Sequence, residues 1–138
     1  MYKNILIPLA LDHGIAGTAL TTARALLSEG GKITALHVYD APEGSVRAFV
    51  DETVIRAGHK DAQRRLAERT NGQDDVVPVL RQGHAARTIV DYARETGIDC
   101  IVIGSHKPGI SDYLIGTTAS RVVRHAACAV HVLRTDGY

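Results

Sequence analysis

Short apolar runs alternate along this chain with stretches in which apolar residues recur every three or four positions. Five runs predict β-strands: KNILIPL, KITALHVY, VVPVL, DCIVIG and AVHVL. The periodic stretches predict four helices, over residues 14–29, 46–70 and 86–96 and in the segment after Gly116. Strands that alternate with helices are typical of α/β proteins, in which helices cover both faces of a parallel sheet.

The periodic positions also predict which side chains the helices bury. In chain order these are Ala16, Leu20, Ala23 and Leu27; Ile55, Ala62 and Leu66; Ala86, Ile89 and Ala93; and Ala119, Val122, Val123 and Ala126. Glycines 30, 31 and 97 follow the first and third helices and supply their stops.

The composition of the strands predicts their order in the sheet. The first and fourth strands are the most apolar and belong in the centre, whereas Pro78 places the third near an edge. We therefore predict a five-stranded parallel sheet of order 3-2-1-4-5. Because this order reverses between strands 1 and 4, a ligand crevice is expected at their carboxyl ends. The segments after Leu9 and Ile103 should form one site.

Size and charge narrow the class of protein. A chain of 138 residues with 45% hydrophobic and 22% charged residues predicts one globular domain over residues 1–138. A net charge of +1 argues against a nucleic-acid partner. No segment reaches the roughly 20 apolar residues of a membrane span, and no signal peptide is recognised, so a cytoplasmic location is expected. Cys100 and Cys128 suit two reduced thiols.

Two glycines bound the segment between the fourth strand and the fourth helix. Gly104 lacks a side chain that would block a ligand at the strand end, and Gly116 precedes the amides of Thr117 and Thr118. Unpaired amides at a helix N-terminus suit an anion such as phosphate, and Lys107 could add charge. The alternative is that the glycines merely close the connection, with Thr117 as N-cap. About a dozen residues is long for such a connection, which favours a site.

Better-known nucleotide and phosphate motifs are missing from the sequence. It contains no G-x-x-x-x-G-K-[ST], and ALDHGIAG after the first strand does not match G-x-G-x-x-G. RQGHAA after the third strand has no acidic residue to phosphorylate, which argues against a two-component receiver.

The whole chain resembles the universal stress proteins. The resemblance rests on ILIPLALD near the start and on the region from RQGHAARTIVDYARE to IGTTASRVVRHAACAVHVLR in the last third. It implies an adenine nucleotide alpha hydrolase-like fold and a site for ATP or AMP. It also implies a homodimer formed through strand 5, Ala129 to Leu133. The short glycine loop is similar to that of one subgroup of small bacterial stress proteins associated with ATP or AMP binding.

The family pattern Gly-x2-Gly-x9-Gly-[Ser/Thr] can be carried over residue by residue. Gly104 is its first glycine, Gly116 its last, and Thr117 takes the Ser/Thr place. Lys107 stands at the middle glycine, one residue too close to Gly116, and Gly109 partly replaces it. The resemblance thus implies that this loop holds the phosphates.

The nucleoside half of the site departs from the family in one place. An acidic residue usually stands two positions after the strand 1 proline, where this chain has Ala10. Asp12 could reach the ribose from the same loop or could instead cap the first helix. Val38 matches the position whose backbone contacts adenine. His106 and Lys107 could meet phosphate oxygens, or could be solvated loop residues.

Two groups of side chains raise the question of a metal. Asp40 and Glu43 follow the second strand and could help to hold Mg²⁺ beside a nucleotide, but a solvated acidic loop is the simpler interpretation. His125, Cys128 and His131 lie close in sequence without the spacing of a zinc motif, so no metal site is predicted there.

The resulting hypothesis is a regulatory protein that binds an adenine nucleotide. Two alternatives remain open. One is a slow ATPase or self-phosphorylating protein, for which no general base or arginine finger is recognised in the sequence. The other is an adaptor that has lost nucleotide binding, which Ala10 and Lys107 would allow.

Overall fold

A computed structural model describes residues 1–10, 17–40, 51–105 and 116–134. Strands and helices alternate through these residues, as the hydrophobic pattern predicts. In chain order the elements are β1 (Tyr2–Pro8), α1 (Gly17–Leu26), β2 (Leu27–Tyr39), α2 (Glu52–Thr70), β3 (Val76–Gln82), α3 (Ala85–Glu95), β4 (Cys100–Gly104), α4 (Thr117–His125) and β5 (Ala129–Leu133).

The five strands form one parallel sheet of order β3-β2-β1-β4-β5. This confirms both the predicted order and the place of Pro78 on an edge strand. Ile5 in β1 is aligned with Ile33 of β2 on one side and with Cys100 of β4 on the other. Since β1 and β4 are neighbours, their carboxyl ends lie side by side, where the strand order reverses.

Successive side chains of the central strands enter two separate cores. Ile5 and Ile7 of β1 pack with buried residues of α1 and α2 on one face of the sheet. Leu6, between them, packs on the other face with buried residues of α3 and α4. Both faces of β1 are therefore covered around Ile5, Leu6 and Ile7, which explains why the middle of this strand is apolar.

Most of the predicted helical stripes are buried, including Ile55, Ala62 and Leu66 in α2 and Ala86, Ile89 and Ala93 in α3. Val123 is an exception, because 45% of it is exposed. Ala119 and Val122 already form the inward face of α4. Beyond β5, no further strand or helix of the described residues covers Val123.

The first helix also ends earlier than predicted. α1 stops at Leu26, and Leu27 begins β2, where it pairs with Tyr2. The register of this ladder shifts between Tyr2 and Asn4, because Tyr2 is aligned with Leu27 and Asn4 with Lys32. The additional residues of β2 include Gly30, whose φ is positive at 78°. At Leu27, pairing with Tyr2 of β1 therefore prevails over the helical periodicity of the sequence.

Asp99 fastens the start of β1 to the start of β4. Its carboxylate accepts hydrogen bonds from the backbone N–H groups of Lys3 and Asn4, both at 2.9 Å. Its own N–H donates to the carbonyl of Asn4 at 3.0 Å. This contact lies at the end of the sheet opposite the carboxyl ends of the strands.

The longest helix of the described residues, α2, is polar over most of its length. Neither it nor any other helix in those residues combines the length and apolar character of a membrane span.

Candidate functional site

The candidate crevice begins where β1 and β4 end. Leu9 and Ile103, predicted to mark the two strand ends, are buried at 8% and 5% exposure. Ala10, the next residue after Leu9, is exposed, and Gly104 is partly exposed. The core thus closes at Leu9 and Ile103, and the following residues form the rim of the crevice.

The two ends of the glycine loop are fastened together at their base. The N–H of Gly116 donates to the carbonyl of Ser105 at 3.0 Å. Ser105, which is buried, donates both its N–H and its hydroxyl to the carbonyl of Leu133, each at 3.0 Å. The start of α4 is consequently held beside the end of β4. Sequence reasoning missed Ser105, because a serine after a strand gives no sign of a partner 28 residues away.

Gly116, and not Thr117, is the N-cap of α4. Its φ of −56° and ψ of 155° are extended, and its carbonyl accepts the first helical bond from Ser120 at 2.8 Å. The N-cap interpretation of Thr117 is therefore wrong: Thr117 is the first residue of the helix. Glycine provides no side chain to cap the helix, so the amides of Thr117 and Thr118 lack that partner.

The charge around the start of α4 suits an anion. Thr117 and Thr118 are exposed, and the first turn contains no acidic residue. Arg124 and His125 lie in the last turn, as the helix dipole favours. The positive end of the helix dipole therefore lies at the rim of the crevice, and no carboxylate in the first turn of α4 would repel an anion there.

The backbone of Val38 is directed toward the crevice. In a strand, the N–H and C=O groups of successive residues point alternately to the two sides. The carbonyl of Leu36 accepts from Leu9 on the β1 side, and that of Tyr39 accepts from Gly83 on the β3 side. The peptide groups of Val38 must then point to the β1 side, beyond the last residue of β1.

Several predicted site residues lie outside the described part of the chain. These are Asp12, His106, Lys107 and Gly109, together with Glu43 of the acidic pair. Asp40, the other member of that pair, is exposed directly after β2. The described part of the candidate site therefore consists of the end of β1, the end of β2, the end of β4 and the start of α4.

The three residues weighed as zinc ligands lie on different structural elements. His125 ends α4, Cys128 precedes β5, and His131 lies on β5. Within the described ranges, no group of three or more His, Cys, Asp or Glu side chains could hold a metal ion.

Neither the Cys100 thiol nor the Cys128 thiol is activated for nucleophilic attack. Burial raises the pKa of the Cys100 thiol from its ordinary value of 9.0 to about 11, with smaller contributions from Cys128 and Asp99. Burial also raises the pKa of Cys128. Both cysteines are free thiols, and neither suits the role of a nucleophile at neutral pH.

The raised pKa of Cys100 predicts a pH dependence of stability. Above pH 9.0 the thiol of the unfolded chain ionises, whereas the folded protein retains its proton until about pH 11. Stability is thus fully present below pH 9.0 and is lost as the pH rises toward 11. Urea unfolding of the reduced protein should show this loss, and Cys100→Ala should show a smaller one over the same range. Equal losses in the two proteins would contradict the prediction.

Comparisons with known proteins agree with this architecture. The family model described as the universal stress protein family matches residues 1–134. Universal stress protein G of Escherichia coli O157:H7 is 30% identical over 143 aligned positions, which cover 97% of this chain and all of that protein. A universal stress protein of Methanothermobacter thermautotrophicus is 27% identical, with 98% and 97% coverage.

Solved structures give the same result. A hypothetical protein studied as a test case of structural genomics superposes with a TM-score of 0.76 at 25% identity, covering 96% of each chain. Universal stress protein UspA from Lactobacillus plantarum gives 0.67 at 30% identity, covering 96% of this chain and 97% of its own. Two universal stress proteins solved in complex with cAMP and with dAMP, the latter from Archaeoglobus fulgidus, share the fold at 18% identity. The chain belongs to the universal stress protein family.

Proposed function

We propose that this protein is a regulatory adenine-nucleotide-binding protein, with ATP or AMP bound between the carboxyl ends of β1 and β4. The observation that carries the proposal is the N-terminus of α4, which has no side-chain cap and is held beside the end of β4 by Ser105. Backbone donors fixed in this way favour a phosphate group. Related folds that contain cAMP or dAMP support an adenine nucleotide as the ligand.

Each part of the nucleotide has a proposed contact. The amides and hydroxyls of Thr117 and Thr118 bind phosphate oxygens, and Gly104 lets the phosphates approach the strand end. The peptide of Val38 contacts the base. Any Mg²⁺ would be bound mainly by the phosphates and water, since Asp40 is exposed and the described residues form no metal-binding group.

The proposal is tested by calorimetric titration of protein that has been stripped of copurifying nucleotide. Saturable heat with ATP and AMP, and weaker binding of GTP, is expected both with and without Mg²⁺. Mass spectrometry of the copurifying material should then identify an adenine nucleotide. No heat with either adenine nucleotide, and no competition with a fluorescent analogue, would overturn the proposal. Phosphate release slower than about one turnover per hour would support a regulatory protein and would argue against even a slow ATPase.

We further propose that two copies associate through β5. This strand is an edge of the sheet, and Val123 on the adjacent α4 is 45% exposed. The carbonyl of Leu133 accepts from Ser105 on the β4 side, so the peptide groups of Val130 and Val132 point outward by alternation. An unpaired edge with outward apolar side chains close by favours pairing with a second chain.

Proline at position 130 should prevent this association. Val130→Pro removes an outward N–H and leaves the β4 ladder intact, which an edge strand tolerates. Sedimentation should give twice the chain mass for the wild type and for Val130→Thr, and the single chain mass for Val130→Pro. A wild-type monomer at micromolar concentration, or a Val130→Pro dimer as stable as the wild type, would contradict the prediction.

A further inference from the structure

The imidazole of His37 is hydrogen-bonded to the carbonyl group of Leu9, the residue that follows β1. Its Nδ1 lies 2.7 Å from the carbonyl oxygen of Leu9 and is partly buried. A carbonyl oxygen can only accept a hydrogen bond, so Nδ1 must carry the proton and donate. The neutral ring is therefore the Nδ1–H tautomer, with the lone pair on Nε2.

The carbonyl oxygen of Leu9, to which His37 donates, would be the next acceptor of the β1–β2 ladder. Pro8 is aligned with Leu36, and the N–H of Leu9 donates to the carbonyl of Leu36 at 2.8 Å. In a regular parallel ladder, the following bond would run from the N–H of Val38 to the carbonyl of Leu9. Among the described residues, the Leu9 carbonyl accepts from the His37 ring and no backbone bond joins it to Val38.

We propose that His37 is a positioning residue that ends the β1–β2 ladder one bond early and so keeps the Val38 peptide available for the base. This inference rests on the proposed function and extends it to base selectivity. A continued ladder would use both the N–H and the C=O of Val38. Once free, the C=O accepts a hydrogen bond from the exocyclic amino group of adenine, and the N–H donates to a ring nitrogen.

The selectivity of this contact follows from the pattern of donors and acceptors. Hypoxanthine replaces the amino group of adenine with a keto oxygen, which would face the carbonyl of Val38 as a second acceptor. A site built around a substrate donor rejects the analogue that lacks it, because its own buried polar group is left unpaired. ATP should therefore bind more tightly than ITP, and His37 should influence that ratio without contacting the base.

Two substitutions at position 37 test whether the hydrogen bond to Leu9, and not the imidazole ring itself, is what affects nucleotide binding. In His37→Asn the side-chain amide nitrogen takes the place of Nδ1 and can still donate to Leu9, so ATP affinity should stay within about twofold. In His37→Leu the Leu9 carbonyl is released and can accept from Val38. We expect ATP affinity to fall about tenfold and the ATP-to-ITP affinity ratio to fall with it.

The test combines calorimetry with NMR of the nucleotide-free protein. The neutral wild-type ring should show the Nδ1–H tautomer, and hydrogen exchange of the Val38 amide should slow in His37→Leu and not in His37→Asn. Thermal unfolding confirms that each variant is folded before its affinity is measured.

The outcomes distinguish the two proposals. If the wild type binds ATP and His37→Leu keeps both its affinity and its ATP-to-ITP ratio, the role of His37 is wrong and the nucleotide site stands. An unprotonated Nδ1, or identical Val38 exchange in the wild type and His37→Leu, overturns the ladder argument whatever the affinities are. If the wild type binds no nucleotide, the proposed function fails and the base-recognition role fails with it, even where the exchange change is observed.

Discussion

Replacing Thr117 with proline is expected to weaken ATP and AMP binding about ten- to a hundredfold while leaving the protein folded. A backbone amide that donates to a charged phosphate contributes about 1.5–3 kcal/mol, and proline has no amide proton to donate. The helix itself does not need this proton, because the N–H of its first residue has no acceptor inside the helix. The loss should therefore appear in binding and not in stability.

The local backbone is suited to this substitution. Proline is common at the first position of a helix, where its fixed φ is already helical. It also forces the preceding residue into an extended conformation, which Gly116 already has with φ −56° and ψ 155°. Few positions allow a single backbone donor to be deleted with so little disturbance.

Thr117→Ala is the matched control, since it removes the hydroxyl and keeps the amide. It should weaken binding less than Thr117→Pro does. Calorimetric titration measures both, and thermal unfolding verifies that the proline variant retains wild-type stability. A folded Thr117→Pro protein with wild-type affinity would show that the phosphate does not bind at this amide.

The second large effect concerns stability. Asp99→Ala should lower the free energy of unfolding by about 2–3 kcal/mol, since it removes two hydrogen bonds to a charged acceptor. The amides of Lys3 and Asn4 would lose their shared partner, and β1 and β4 would lose a contact between segments about 95 residues apart. Because β1 is the central strand, a loosened start would affect its pairing with both β2 and β4.

Urea unfolding measures this loss. Asp99→Asn keeps one carbonyl oxygen and should lose less than the alanine variant. Asp74→Ala, which removes an exposed carboxylate in the turn before β3, should change stability by less than about 0.5 kcal/mol. If Asp99→Ala proved as stable as Asp74→Ala, the hydrogen bonds from Lys3 and Asn4 to Asp99 would make no contribution to stability.

The fold could be predicted because its signals are periodic and local. Strand β4 is a continuous apolar run, Pro78 marks an edge, and the stripes of α2 and α3 give their buried faces directly. Leu27 and Val123 were predicted less well. The state of Leu27 depends on pairing with Tyr2, and the exposure of Val123 depends on where the sheet ends. Neither fact is contained in the spacing of nearby residues.

The site was predictable only in part for the same reason. Glycines beside strand and helix ends are visible in a sequence, and they point to the edge of the sheet where β1 and β4 end as the candidate site. The contacts that fix its geometry join distant residues: His37 with Leu9, Ser105 with Leu133, and Asp99 with Lys3. A histidine within an apolar strand looks like any half-buried residue until the neighbouring strand is placed beside it.

The bond between Ser105 and Leu133 joins the floor of the proposed phosphate site to the strand proposed to meet a second copy. If a bound nucleotide displaced Ser105, the displacement would reach Leu133, the last residue of β5, through the carbonyl group that accepts both hydrogen bonds of Ser105. Occupancy and assembly would then be thermodynamically linked: the factor by which nucleotide tightens the dimer equals the factor by which dimerisation tightens nucleotide. In that case nucleotide binding and dimerisation would be coupled through the hydrogen bonds of one carbonyl group, and no domain movement would be needed.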